Sequence, residues 1–237
     1  TSKNTKYGYL TGIQYLSPYK TSGVNLCPMA EKAGCIDACL YYAGRGKFEN
    51  VKAARLARTK LYLTNQAAYF NQLIKEIVAL EKRAAKLGLK PLVRLNGTSD
   101  IRWENIHFVY NNVTYRNIFE LFPNIQFMDY TKIPNRINSM NGISKFPANY
   151  DLTFSYSGKP GFEKYNQRAI DKGMRIAAVF DKVESIPLTF HKRQVLSGDD
   201  NDLTFTKPKN SILALYAKGF KKEIQLGLNS QFIIRGA

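Results

Sequence analysis

The spacing of apolar positions changes several times along the chain, and each change marks an element. Tyr7 to Ser17 (YGYLTGIQYLS) alternates and is rich in aromatic and β-favouring residues, which predicts a strand closed by Pro18, with Thr21-Ser22-Gly23 as loop. From Glu49 to Leu87 the period becomes helical: Val51, Ala54, Leu56, Leu61, Tyr62, Ala68, Tyr69, Leu73, Ile77 and Leu80 recur at three and four. Thr64-Asn65-Gln66 interrupts that run with capping chemistry, so two helices are expected, the second closed by Gly88. Pro91 to Leu95 (PLVRL) predicts a strand, Val113 to Phe122 a helix, and Asn124 to Tyr130 (NIQFMDY) a strand. Ile133 to Phe146 is either a helix or a long loop. Asp151 to Tyr156 predicts a strand, Phe162 to Lys172 a helix, and Met174 to Phe180 (MRIAAVF) a strand apolar enough to be buried on both faces. After Pro187 the pattern turns to short β segments at 188–190, 195–196, 203–205, 211–216 and 232–234.

Strands alternating with helices are the grammar of a parallel α/β sheet. The expected architecture is a parallel (β/α) barrel of the TIM type, partial or complete, over residues 1–185. A β-rich C-terminal elaboration over 186–237 is expected to pack on the same domain. No repeat and no Gly/Ser-rich linker divides the chain.

The 237 residues are 44% hydrophobic and 22% charged, which excludes a disordered or low-complexity protein. No apolar run reaches the roughly 20 residues of a membrane span. The opening Thr1 to Lys6 has no apolar segment of signal-peptide type behind it, so secretion and membrane insertion lose weight. Thirty-five Lys and Arg against 18 Asp and Glu give a formal charge of +17. Such an excess favours a polyanionic partner, a nucleic acid, an acidic membrane face or a phosphorylated substrate; the bland alternative is a basic surface that keeps the protein soluble.

Polar residues gather where the predicted strands end. The second strand runs into Asn96-Gly97-Thr98-Ser99-Asp100, the third into Asp129, Tyr130 and Lys132, the fourth into Ser155 and Ser157, and the fifth into Asp181 and Lys182. Ligands of parallel α/β folds bind at these carboxyl ends, so one shared mouth is expected. Asp100, Asp129, Lys132 and Asp181 are its candidate catalytic groups, although loops at strand ends are polar in any protein.

The three cysteines, Cys27, Cys35 and Cys39, fall within thirteen residues in a C-x7-C-x3-C pattern. An odd number cannot close a disulfide set within one chain, and thiols clustered without an export signal suggest a metal or redox role. Cys35 and Cys39 would share one helical face. A closed zinc site needs a fourth ligand, which His107 or His191 could supply only through the fold. Three thiolates with one open position suit an iron–sulfur cluster. Packing as three small hydrophobes is the plain alternative.

A first strand, a three-cysteine loop and then alternating helices and strands resemble the radical S-adenosylmethionine (SAM) enzymes. That resemblance implies a [4Fe-4S] cluster on Cys27, Cys35 and Cys39, with SAM on its unique iron. It also implies that Asn96, Gly97, Thr98, Ser99 and Asp100 receive the polar end of SAM, with Ser155 and Ser157 lining the mouth. The spacing here departs from that family's C-x3-C-x2-C, and its Gly-Gly-Glu is represented only by Asn96-Gly97 and a later Asp100. Whole phrases, LSPYKTSGVNLCP, CLYYAGRG, VRLNGTSDIRWE, NIQFMDYTK and SGDDNDLTF, are similar to a family of bacteriophage proteins. That likeness covers most of the chain and brings no activity with it; it implies a phage product acting in the cytoplasm of a bacterial host.

Gly44-Arg45-Gly46-Lys47 precedes a helix, and Arg45 and Lys47 could hold an anion there; a plain turn explains the segment as well. Lys52, Arg55, Arg58 and Lys60, with Tyr62 and Tyr69, could face a nucleic acid or be a solvated helix side over core tyrosines. Ser197 to Asp202 (SGDDND) is acidic enough for a divalent cation, but a hairpin turn before Leu203 is the better expectation. There is no phosphate-binding loop of the Gly-x-x-x-x-Gly-Lys-Ser/Thr type and no His-Glu-x-x-His. Three functions stay open: an iron–sulfur enzyme of radical-SAM type acting on a nucleic acid or nucleotide, a zinc-containing nucleic-acid-modifying enzyme using Asp100 or Asp129, and a basic nucleic-acid-binding protein without catalysis.

Overall fold

The structure is a computed structural model that describes every residue except 1, 37, 40–43, 137, 138, 141, 142, 145, 219, 220 and 237. In chain order its elements are α1 (Ser2–Thr5), β1 (Tyr9–Ile13), α2 (Ala30–Ala33), α3 (Glu49–Thr64), α4 (Gln66–Lys86), β2 (Lys90–Arg94), β3 (Phe108–Tyr110), β4 (Val113–Tyr115), α5 (Ile118–Leu121) and β5 (Gln126–Thr131). They continue with β6 (Ser139–Met140), β7 (Ile143–Ser144), β8 (Tyr150–Ser155), α6 (Glu163–Asp171), β9 (Ile176–Phe180), β10 (Thr189–Phe190), β11 (Arg193–Ser197), β12 (Ile212–Tyr216) and α7 (Lys221–Asn229).

Eight strands form one mostly parallel sheet in the order β1-β2-β5-β8-β9-β12-β11-β10. Its first six members follow one another in chain order. The chain falls into two compact, interleaved units. The first comprises Thr1–Leu26, Phe48–Asp129 and Arg136–Asp151, the second Cys27–Lys47, Tyr130–Asn135 and Leu152–Ala237.

In the first unit the expected helix pair is present. The Asn65 side chain accepts the Ala68 amide at 3.0 Å and caps α4. α4 buries Tyr69, Phe70, Leu73, Ile74 and Ile77 along one stripe. Trp103, with no exposed surface, lies parallel to Tyr69 at 6.0 Å, and Phe70 stacks on Phe108 at 4.3 Å. Tyr62 and Tyr69 are therefore core residues, and the buried Arg55 guanidinium lies 4.7 Å over the Tyr15 ring. That leaves Tyr62 and Tyr69 no part in a nucleic-acid surface.

The helix expected over Val113 to Phe122 is instead a hairpin followed by one short turn of helix. Asn111 and Asn112 both have positive φ, 49° and 60°, which is the turn that joins two twisted strands. Val109 and Thr114 pair across it. Only after Asn117, whose side chain accepts the Glu120 amide at 3.0 Å, does α5 begin. Within 133–146 the described residues give the small β6–β7 hairpin, not a helix.

In the second unit β9 (IAAVF) is buried on both faces, as its apolar run requires. It pairs in parallel with β8 on one side and β12 on the other. In the C-terminal segment β12 is a central strand of the sheet, β11 joins it in parallel, and α7 follows. The segment around Leu203 is a 3-10 turn at Thr204–Thr206, and the Ser197–Asp202 loop leads from β11 towards that turn rather than closing a hairpin.

Candidate functional site

In the first unit the loop after β2 is organised by its own side chains. Asn96 Oδ1 accepts from Ser99 Oγ at 2.8 Å, Ile101 N at 3.0 Å and Trp103 Nε1 at 3.1 Å, while its Nδ2 donates to the Ile101 carbonyl at 3.0 Å. Thr98 Oγ1 donates to the Leu16 carbonyl. At Gly97 a Cβ would stand 2.6 Å from the Gln14 carbonyl and 2.7 Å from the Tyr15 ring, so the loop closes on the end of β1 only without a side chain there.

Asp129, in the carboxyl half of β5, reaches the same loop. Its carboxylate accepts from Asn96 N at 2.9 Å, Leu95 N at 3.3 Å and the Tyr150 hydroxyl at 3.0 Å. Burial pushes its carboxyl up to about 6, against the opposing pull of Arg94, the Asn96 amide, Arg136 and Tyr150. Next to it Arg136 forks onto Glu104 at 2.9 and 2.6 Å and pairs with Asp100 at 2.8 Å. It also donates to the Ile101 carbonyl at 3.0 Å and to the Tyr150 hydroxyl at 3.2 Å. Burial opposes the guanidinium charge, but Tyr150, Glu104 and Asp100 together outweigh it and hold Arg136 protonated. Five of the sequence-predicted residues, Asn96, Thr98, Ser99, Asp100 and Asp129, are thus buried and turned towards protein partners.

In the second unit the carboxyl end of β8 is a meeting point. Lys132, only 8% exposed, donates to the Ser155 and Tyr156 carbonyls, each at 2.9 Å, and its ammonium sits 4.3 Å over the Phe232 ring. Ser157, fully buried, donates its hydroxyl to the Ala33 carbonyl at 2.7 Å and accepts the Lys159 amide at 3.1 Å. Asn166 on α6 donates to the Ser157 carbonyl at 2.7 Å. Lys159 donates from its ammonium to the Glu31 carbonyl at 2.8 Å. The α2 turn, and with it the cysteine segment, is therefore fastened to the tip of β8.

Cys27, Cys35 and Cys39 are all half-buried. Cys27 and Cys35 flank α2: the Cys27 carbonyl accepts from Ala30 N at 3.0 Å, and Cys35 N donates to the Ala30 carbonyl at 3.2 Å. The Cys35 Sγ lies 3.8 Å from that same carbonyl oxygen. Among the described residues no three His, Cys, Asp or Glu side chains are drawn together as an ion would need. Three half-buried thiols on one short segment are nonetheless the donor chemistry of an iron or zinc site.

The remaining predicted residues are dispersed. Asp181, after β9, accepts the Ser185 hydroxyl at 2.6 Å and the Gly236 amide at 3.2 Å; the Ser185 bond chiefly holds its carboxyl below the usual range. Arg45 and Lys47 are exposed in the Gly44–Lys47 turn. His107 is exposed in the first unit. His191 turns its Nε2 towards the Tyr156 hydroxyl at 3.1 Å. Asp199 is engaged by Lys218 and by the Tyr216 amide at 3.0 Å.

Sequence reading misses Arg136 as the partner of Asp100, Glu104 as the second carboxylate on Arg136, and Tyr150 as the partner of Asp129. They lie 36, 32 and 21 residues from the atoms they contact, with no local motif to announce them. It also passes over Tyr156, whose strand neighbours Ser155 and Ser157 it selects.

Among the described residues no helix is long and apolar enough to cross a membrane. No curated protein and no solved structure matches the chain. The family described as Gene product 88 matches residues 1–236, in keeping with the phage phrases in the sequence, and the chain belongs to that family.

Proposed function

We propose that the protein is an iron–sulfur enzyme of radical-SAM-like organisation that acts on a nucleic acid or nucleotide in the bacterial host cytoplasm. The observation that supports it best is the seating of the cysteine segment on the carboxyl end of β8 by the Ser157–Ala33 hydrogen bond. Carboxyl ends of parallel strands are where α/β enzymes keep their reacting groups. The strand order supports the same class: six members in chain order without a reversal is the order of a barrel, partial or complete, rather than of a doubly wound sheet.

In this reading Cys27, Cys35 and Cys39 hold a [4Fe-4S] cluster, which when bound supplies one-electron chemistry at its open iron position. Lys132, Ser155 and Ser157 shape the strand tip beside the α2 turn. SAM as co-substrate rests on the family resemblance rather than on any contact. Asp100 and Asp129 have no reacting role here, because their carboxylates are buried and hydrogen-bonded within the first unit. The +17 charge supports the polyanionic substrate.

Iron and acid-labile sulfide in anaerobically purified protein decide the matter. A brown protein with iron and sulfide in equal amounts is expected, and Cys27→Ala, Cys35→Ala and Cys39→Ala should each lose both. A colourless protein without iron after anaerobic reconstitution overturns the proposal. One zinc per chain without sulfide also overturns it, in favour of a structural thiolate site.

A further inference from the structure

The β10–β11 hairpin turns at His191 and Lys192, whose φ angles are 49° and 59°. Both central residues of this turn lie in the left-handed region, where Asn-Gly is the easy choice. A histidine and a lysine here hold a strained backbone, and such strain concentrates at functional positions. The turn stands His191 against Tyr156, with ring centroids 5.3 Å apart. Phe190 backs both rings edge-on, at 4.5 Å from His191 and 5.2 Å from Tyr156. Burial, helped by Arg193, lowers the imidazole, and burial raises the phenol, so at neutral pH both are uncharged.

This aromatic pair forms one wall of a groove of about 350 Å³ within the second unit. The other wall is α6, which contributes Glu163, Lys164 and Gln167. Beside Lys164 the Tyr165 hydroxyl is 3.1 Å from the Lys32 ammonium, and both Lys32 and Lys164 lie 5.4 Å from the Tyr165 ring. The phenol is held below its usual range, first by the Lys32 hydrogen bond and then by the charges of Lys32, Lys164 and Arg168. Lys32 and Lys164 flank the Tyr165 ring and Arg168 follows Lys164 by one helical turn, so three cations gather about Lys164, the one of them that lines the groove, and outnumber the Glu163 carboxylate beside it.

An uncharged aromatic wall, its two rings tilted by 49° and each offering a face, joined to a cationic edge matches a heteroaromatic base carrying a phosphate. Base stacking on aromatic side chains and phosphate on clustered Lys and Arg are the two halves of nucleotide recognition. We infer that this groove binds a nucleoside phosphate, its base against His191 and Tyr156 and its phosphate on Lys32, Lys164 and Arg168. The site uses none of the cysteines and stands whether or not they carry a cluster.

The test is equilibrium titration of the full chain with adenosine monophosphate, adenosine, inorganic phosphate and a short single-stranded oligonucleotide. The monophosphate should bind saturably and at least tenfold tighter than adenosine or phosphate alone. Lys164→Glu, on an exposed position, should cost the monophosphate at least tenfold and leave adenosine unchanged; His191→Ala should weaken both. An oligonucleotide that binds more tightly and displaces the monophosphate marks a strand as the source, and the reverse order marks a free nucleotide. The inference falls if neither monophosphate nor oligonucleotide saturates at millimolar concentration. It falls equally if their binding is the same in Lys164→Glu, a result that does not depend on the histidine variant folding. Cys27→Ala should retain the binding, which separates this site from the iron–sulfur reading.

Discussion

Both units of the protein carry polar residues at the carboxyl ends of parallel strands, and they use them in opposite ways. In the first unit Asn96, Asp100 and Asp129 are buried and hydrogen-bonded to protein atoms of the same unit. In the second, the tip of β8 carries a buried serine that fastens the α2 turn and receives the buried Lys132 from the end of β5, and the same unit holds half-buried thiols and a groove open to solvent. A polar residue at a strand end is therefore a topological address and not yet a function. What separates the two cases is whether its hydrogen-bonding capacity faces the protein or a space that a ligand can enter.

The largest effect is expected from Arg136→Ala. The side chain is fully buried and pairs with the nearly buried Asp100 and Glu104. Removing it strands two carboxylates, which costs about 3–5 kcal/mol for a buried pair. Urea unfolding should show that loss as a lowered midpoint. A loss below about 1 kcal/mol, the range of an exposed ion pair, would mean that the first network is not structural, and the contrast between the units would disappear.

Asp129 sharpens the contrast through pH. Its carboxyl is pushed up to about 6 by burial, above the unfolded value near 4. The folded state thus binds this proton more tightly than the unfolded state. Its contribution to stability is fully present below about pH 4 and is lost as pH rises through about 6, a change on the order of 3 kcal/mol. Asp129→Asn should flatten the urea midpoint between pH 4 and pH 7 relative to the parent. An unchanged slope would show that Asp129 titrates at an ordinary value and is reached by water.

Much of the fold was legible because its signals are local. The break between α3 and α4 is readable from Asn65, whose cap needs only the amide three residues on. The burial of β9 is readable from five consecutive apolar residues. Other elements were decided elsewhere. α7 carries Gly227 mid-helix, a poor helix former, yet a Cβ there would come within 2.4 Å of Ile233, so packing sets the residue. The Val113 to Tyr115 strand has an apolar spacing that fits either period, and the positive φ angles of Asn111 and Asn112 decide it. Site legibility divides in the same way. Sequence selects Asp100, Asp129, Lys132 and Ser157 by position, but their roles depend on Arg136, Tyr150 and Ala33, which only the fold brings to them.

The smallest effect, and the one aimed at the second unit, belongs to Ser157→Ala. The hydroxyl it removes donates to the Ala33 carbonyl and accepts the Lys159 amide, so two buried backbone groups lose a partner. A loss of about 1–2 kcal/mol follows if both remain dry, and less if water enters. The distribution of that loss is more telling than its size. Because Ser157 fastens α2 to the tip of β8, hydrogen exchange should accelerate at the Ala33, Gly34 and Cys35 amides while the β9 amides keep their protection. Anaerobically prepared Ser157→Ala should also retain less iron than the parent, since a loosened segment presents Cys27 and Cys35 in more arrangements. If exchange instead rises evenly across the second unit, Ser157 is a core hydrogen bond like those of the first unit, and the tip of β8 loses its claim to be different.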